Sequence, residues 1–121
     1  MMQLRSFVPA FVAALALAAC GDAPKPATIG DAQRGQLLLH QYPCADCHVI
    51  PDVPNARGKA GPPLDGVARR AYLAGALPNT PEHMAQWIRN PQKFKPRTDM
   101  PNLHVPEQHA NDMVAYLYGQ R

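Results

Sequence analysis

The chain has 121 residues, a formal net charge of +3, 46% hydrophobic residues and 14 prolines. This length indicates one small domain rather than several. The small basic surplus argues against nucleic-acid binding, which normally shows a dense basic stripe. A domain this small buries a modest fraction of its surface, so a large apolar cofactor at its centre would help to stabilise it.

Residues 1–19 have the pattern of a targeting signal. Arg5 precedes an apolar run over residues 7–19, which is shorter than a typical membrane span, and small residues then lead to Cys20. Residues 17–20, LAAC, resemble the cleavage box of bacterial lipoproteins. The resemblance implies that residues 1–19 are removed and that Cys20 is acylated, which would anchor the protein firmly in a membrane. Ordinary cleavage that leaves a free thiol at Cys20, or an uncleaved signal anchor, are the alternatives.

The prolines of residues 20–30 predict an extended tether, and residues 31–121 form the predicted domain. Three helices are predicted, at about residues 31–41, 80–90 and 106–118, with Gly119 as the last cap. Each carries apolar residues at helical spacing: Ala32, Gly35, Leu38 and Leu39; Met84, Trp87 and Ile88; Ala110, Met113, Val114 and Leu117. No strand pattern and no internal repeat is visible.

Two long loops, residues 49–66 and 91–106, connect the predicted helices. Loops of this length are uncommon in a compact domain unless something functional orders them. A central cofactor would do so.

The strongest pattern in the chain is Cys44-Ala45-Asp46-Cys47-His48. A C-x-x-C-H sequence is the attachment site for c-type haem. Two thiols three positions apart on one helical turn can reach the two vinyl groups of a porphyrin, and His48 can then ligate the iron. The sequence therefore predicts haem c, an iron porphyrin attached by two thioether bonds.

Two other types of site use paired cysteines. A thioredoxin-like redox pair needs a βαβ context, which the flanking residues do not provide. A zinc site needs two more ligands at short spacing. His40 and His104 are available for that purpose, but no second C-x-x-C is present.

The second axial ligand of the iron is predicted to be Met100. This residue lies in a loop between Pro96 and Pro101, where a rigid backbone can hold a thioether toward the metal. A methionine ligand raises the reduction potential and occupies the sixth coordination position of the iron, which suits electron transfer rather than catalysis. An open iron site is an alternative, and so are other side chains: Met84, Met113, His83, His104 and His109.

The chain from Asp31 to Tyr118 resembles the class I cytochromes c. The resemblance rests on the C-x-x-C-H sequence, on residues 61–66 (GPPLDG) and on residues 87–100 (WIRNPQKFKPRTDM). It implies an all-α fold in which three main helices and long loops surround one covalent haem.

The resemblance also implies roles for individual residues. The Pro62 carbonyl would accept a hydrogen bond from the ring N–H of His48 that does not face the iron. Metal-bound histidines generally have such a hydrogen-bond acceptor. Met100 would be the axial ligand, and Arg70 and Thr98 would lie near the haem propionates. Trp87 would lie on the methionine side of the ring. Tyr116 would pack against Gly35 where the first and last helices cross.

The expected function is electron transfer, without enzymatic activity, between a quinol-oxidising complex or dehydrogenase and a terminal oxidase. A fixed haem subunit of a larger oxidoreductase and a haem peroxidase or gas sensor are the alternatives. The expected location is the cell envelope, as a periplasm-facing lipoprotein, either monomeric or a complex subunit. A basic rim for an acidic partner, or else an ordinary solvated surface, would be formed by Arg69, Arg70, Arg89, Lys93, Lys95 and Arg97.

Overall fold

The computed structural model describes residues 29–120 of the chain. The predicted signal, residues 1–19, and most of the predicted tether, residues 20–30, lie outside the described residues. The described part forms four α-helices: α1 Ala32–Gln41, α2 Pro81–Arg89, α3 Pro91–Phe94 and α4 Glu107–Gly119. It also contains two 3-10 helices, Pro43–Asp46 and Val67–Arg69, and an antiparallel hairpin of β1 Tyr72–Leu73 and β2 Leu77–Pro78.

The three predicted helices are confirmed, and their ends follow from local chemistry. The Asp31 carboxylate accepts the Arg34 N–H at 3.0 Å and starts α1. The Thr80 hydroxyl accepts the His83 N–H at 3.1 Å at the start of α2, where proline occupies the first helical position. The residue before a proline avoids helical geometry, so α2 ends at Arg89.

Three features differ from the expectations. The loop predicted after α2 begins with the single turn α3, because Pro91 both ends one helix and suits the start of the next. The hairpin was not predicted, because strands of two residues are too short to show alternation. Gly119 is the last residue of α4 rather than its cap, which is Gln120.

The first and last helices, α1 and α4, cross at Gly35. A Cβ on this residue would overlap the backbone of Asp112, so glycine permits the close approach. Tyr116, which the resemblance places against Gly35, lies one turn further along α4, and its hydroxyl donates to the Pro51 carbonyl at 2.6 Å. Tyr116 thus fastens the loop after the cysteine motif to α4.

Asp112 is a fully buried carboxylate that joins the same two helices. Its oxygens accept the backbone N–H of Asp31 at 2.8 Å, two hydrogen bonds from Arg34 at 2.5 and 2.9 Å, and one from Gln108 at 3.1 Å. The hydrogen bonds from Arg34 lower the pKa of Asp112 to about 2, and those from Asp31 and Gln108 act in the same direction against the effect of burial. The charged form is therefore the one that the fold stabilises.

The long loop over residues 49–66 packs against the main core. Ile50, Val53 and Ala56 are buried and belong to that core. An isolated bridge pairs Val49 with Arg57. Part of the order expected from a cofactor therefore comes from contacts between the loop and the rest of the protein.

In the described range, residues 29–120, none of the helices has the length and apolar character needed to cross a bilayer.

Asp112→Asn is expected to lower the free energy of unfolding by about 1–2 kcal/mol at neutral pH, a value reduced because solvent screens the half-exposed Arg34. A lowered pKa adds stability above the ordinary carboxyl value of 3.8, and this is lost as the pH falls toward 2. In denaturant titrations, the difference in unfolding free energy between wild type and Asp112→Asn should therefore shrink as the pH is lowered from 3.8 toward 2. Asp65→Asn, at an exposed carboxylate, is the control. A difference that did not change with pH would contradict this account.

Candidate haem-binding site

The cysteine motif lies on a tight turn directly after α1. The 3-10 helix Pro43–Asp46 carries Cys44, and Cys47 follows as its cap. The Cys44 carbonyl accepts the N–H groups of Cys47 at 3.2 Å and of His48 at 3.0 Å. The predicted helical turn thus places both thiols and the imidazole beside one another.

The imidazole of His48 is oriented by the following loop. Its Nδ1 lies 2.7 Å from the Pro62 carbonyl, as the resemblance implied. Because a carbonyl only accepts, Nδ1 carries the proton and Nε2 is left with a lone pair for a metal. A Cβ on Gly61 would overlap the His48 ring, so only glycine fits beside it.

His48 faces a cavity of about 570 Å³, within the ordinary size range of cofactor sites. Cys44, Cys47, Met100 and Trp87 also line this cavity. Most of the remaining wall is apolar, with contributions from α1, α2, α4 and the hairpin: Leu39, Leu64, Val67, Leu73, Ile88, Leu103, Val105 and Leu117. The cavity thus brings together the four residues predicted to bind haem.

The side chains weighed as other axial ligands are distributed differently. Met84 and Met113 also line the cavity, but both are buried on their helices' apolar faces. None of the three alternative histidines is among the residues that line it. His83 Nδ1 lies 2.7 Å from the Pro78 carbonyl, and His109 Nδ1 lies 3.0 Å from the Tyr42 hydroxyl.

The two thiols can be compared with those of redox-active cysteine pairs. Burial raises the pKa of the Cys44 thiol to about 11. Reactive cysteines in thiol–disulfide enzymes show the opposite shift, because the thiolate is the nucleophile. Within residues 29–120, no three His, Cys, Asp or Glu side chains are grouped so that they could hold a metal ion.

Arg70 and Thr98 both line the cavity, and each also contacts the protein backbone. The Arg70 guanidinium donates to the Pro63 carbonyl, next to the carbonyl that orients His48. The Thr98 hydroxyl accepts the Met100 N–H at 3.3 Å. Both residues therefore support the loops that carry the predicted ligands.

The six basic residues expected to form one rim are distributed between the cavity and a neighbouring groove. Arg70, Lys95 and Arg97 line the cavity. Arg89 and Lys93 line a separate polar groove, and Arg89 forms an ion pair with Glu107 at 3.4 Å. The guanidinium of the sixth residue, Arg69, lies close to Gly66. Three of the six basic residues therefore lie on the cavity itself.

Sequence reasoning missed Asn79, which connects the cavity wall to α4. Its amide N–H groups donate to the carbonyls of Val67 and Arg70, both at 2.8 Å. Its amide oxygen accepts the Tyr118 hydroxyl at 2.5 Å, and burial raises the pKa of that phenol to about 12. An asparagine between a hairpin and a helix cap carries no pattern that could have revealed this role.

The donor set fits haem c. Two thiols on one turn can form thioethers, an imidazole presents one free nitrogen, and a thioether lies on the wall of the same apolar cavity. The fold and the site together define a small all-α protein built to hold one covalently attached porphyrin.

Comparisons with known proteins also indicate a haem c protein. The sequence profile of the family described as Cytochrome c matches residues 32–120. Cytochrome c2 of Rhodopila globiformis is 33% identical over 111 residues, which cover 80% of this chain and 96% of that protein. Cytochrome c oxidase subunit 2 of Alkalihalophilus pseudofirmus is 31% identical over 87 residues, 71% of this chain but only 25% of the relative. The chain therefore spans about a quarter of that subunit.

A solved structure, cytochrome c2 of Rhodobacter sphaeroides, has the same fold, with a TM-score of 0.54 at 23% identity over 76% of this chain and 97% of that one. The chain belongs to the cytochrome c family and is a class I c-type cytochrome. Its cofactor is covalent haem c.

Gly61→Ala is expected to destabilise the protein by about 1–3 kcal/mol, because the new methyl group must displace the His48 ring or the loop. The yield of holoprotein should fall as well, since the imidazole loses its orientation. Denaturant unfolding and haem absorbance measure the two effects. Gly119→Ala is the control, because a Cβ there meets no atom within 4 Å. Equal behaviour of the two variants would contradict the steric argument.

Proposed function

We propose that the protein carries single electrons through one haem c, attached at Cys44 and Cys47 and ligated by His48 and Met100. The observation that carries this proposal is the placement of all four side chains on one cavity, with His48 Nδ1 already held by Pro62. When bound, haem iron supplies a one-electron couple between its ferric and ferrous states. The residues of the chain hold and tune that couple.

His48 and Met100 contribute differently to the tuning. The hydrogen bond to Pro62 fixes the tautomer of His48 and makes the imidazole a better donor. The thioether of Met100 is a soft, neutral ligand that favours ferrous iron and so raises the reduction potential. While both protein ligands are bound, the metal would have no open position for a substrate, and this favours electron transfer over a peroxidase or gas sensor.

Electrons would pass to partners near the mouth of the cavity. Lys95 and Arg97 are exposed there. Basic side chains around a redox centre favour weak, fast and salt-sensitive docking of an acidic partner. We infer that the partners are a quinol-oxidising complex or dehydrogenase on one side and a terminal oxidase on the other.

A second role, as a fixed haem subunit of a larger oxidoreductase, is favoured by one comparison. The relative from Alkalihalophilus pseudofirmus is named as a subunit of cytochrome c oxidase, and the matching region is 25% of its length. The match to cytochrome c2 covers 96% of that relative, which favours a separate carrier. Co-elution with a partner at fixed stoichiometry in mild detergent would identify the subunit role.

We also propose that residues 1–19 are a signal, that acylated Cys20 anchors the protein in a membrane of the cell envelope, and that the haem domain, residues 31–121, faces the periplasm. The support is the LAAC box and the proline-containing segment after it.

Met100→Ala is expected to leave a folded haem protein whose reduction potential is lower by on the order of 0.1 V or more. Its ferric iron should bind added imidazole rapidly, because the sixth position has no internal ligand. Redox titration and absorbance measure both changes. Met84→Leu is the matched control, since it conserves volume at a methionine on the same cavity. A native spectrum and potential in Met100→Ala would exclude Met100 as the ligand.

Cys20→Ser is expected to abolish lipid labelling and to leave either released protein or unprocessed precursor. The measurement is fractionation of cells together with labelling by a fatty-acid analogue. Cys20 is the cysteine outside the haem motif, so haem attachment should continue and serves as the internal control. Unchanged lipid labelling would exclude acylation at Cys20.

A further inference from the structure

The backbone of Met100 is held by two side chains. Gln92, in α3, donates from Nε2 to the Met100 carbonyl at 2.8 Å. The Thr98 hydroxyl accepts the Met100 N–H at 3.3 Å. In the described part of the chain, no backbone–backbone hydrogen bond involves Met100. The conformation of this residue therefore depends on side-chain contacts, in contrast to residues of a helix.

Gln92 occupies a position suited to this contact. The residue before it, Pro91, is fully buried and anchors the single turn α3 to the core. The backbone N–H of Lys95 closes that turn by donating to the Pro91 carbonyl at 3.0 Å. The backbone of Gln92 is thus held in place, and its side-chain amide extends from there to Met100.

The amide of Gln92 also has a defined orientation. Its Oε1 is buried and has no hydrogen-bond partner among the described residues. Rotating the amide by 180° would set this oxygen against the Met100 carbonyl, and two acceptors repel each other. The orientation with Nε2 toward Met100 is therefore the favoured one.

Gln92 is not among the residues that line the haem cavity. We propose that it is a positioning residue, which holds the Met100 backbone so that the thioether stays directed at the iron. The proposal rests on the proposed function, in which Met100 is the axial ligand. Gln92 would then lower the rate at which the thioether leaves the metal, and with it the rate at which external ligands bind.

The test is Gln92→Leu in the ferric holoprotein. At saturating imidazole, the rate of binding is limited by departure of the methionine, and it should rise about tenfold, the size expected for one lost hydrogen bond. Global stability should change little, because leucine keeps much of the side-chain volume at this half-buried position and removes a polar amide from it. Gln86→Leu, the same change at an exposed residue of α2, should keep the wild-type rate.

Three results would overturn the inference or the function beneath it, and they can be told apart. A rate in Gln92→Leu within twofold of wild type, with fast binding in Met100→Ala, would overturn the role of Gln92 alone. A faster rate accompanied by an equal loss of global stability would show that Gln92 is merely structural. A wild-type rate and spectrum in Met100→Ala would overturn the proposed ligation itself.

Discussion

The orientation of the His48 imidazole is the constraint on which the site depends. A histidine can bind a metal through either nitrogen, and the Pro62 carbonyl decides between them by engaging Nδ1. That carbonyl lies between a glycine, which leaves room for the ring, and Pro63, whose own carbonyl is held by Arg70. The loop therefore leaves Nε2 as the nitrogen available to a metal, and its prolines restrict the backbone conformations that could change this.

The rest of the fold keeps this loop and the cysteine turn in place. The two ends of the domain are joined by the buried Asp112 carboxylate, and Gly35 allows α1 and α4 to touch through their backbones. The α4 helix then reaches the cavity loops through two phenols, since Tyr116 bonds to Pro51 and Tyr118 to Asn79. The α4 helix is thus hydrogen-bonded to the loop after the cysteine motif and, through Asn79, to the backbone of Val67 and Arg70 in the cavity wall.

How much could be predicted depended on whether a residue acts through local sequence or through tertiary contacts. Asp31 and Thr80 start helices by bonding to residues three positions later, so the sequence revealed both. The C-x-x-C-H motif was equally local. Asp112 and Asn79 act on partners distant in sequence, and an aspartate on an apolar helix face gives no sign that four donors will surround it. The distribution of the basic residues between the cavity and the neighbouring groove likewise depends on how α2, α3 and the cavity loops pack.

The two residues proposed as axial ligands are held in different ways, and the difference suits their proposed roles. His48 follows a turn closed by backbone hydrogen bonds and is fixed by a backbone carbonyl. Met100 lies in an irregular loop and is held by the side chains of Gln92 and Thr98. Local opening requires less free energy where few backbone bonds must break. On the proposed ligation, ligand exchange would begin on the methionine side, where Thr98 supports Met100 from the cavity wall and Gln92 from outside the cavity.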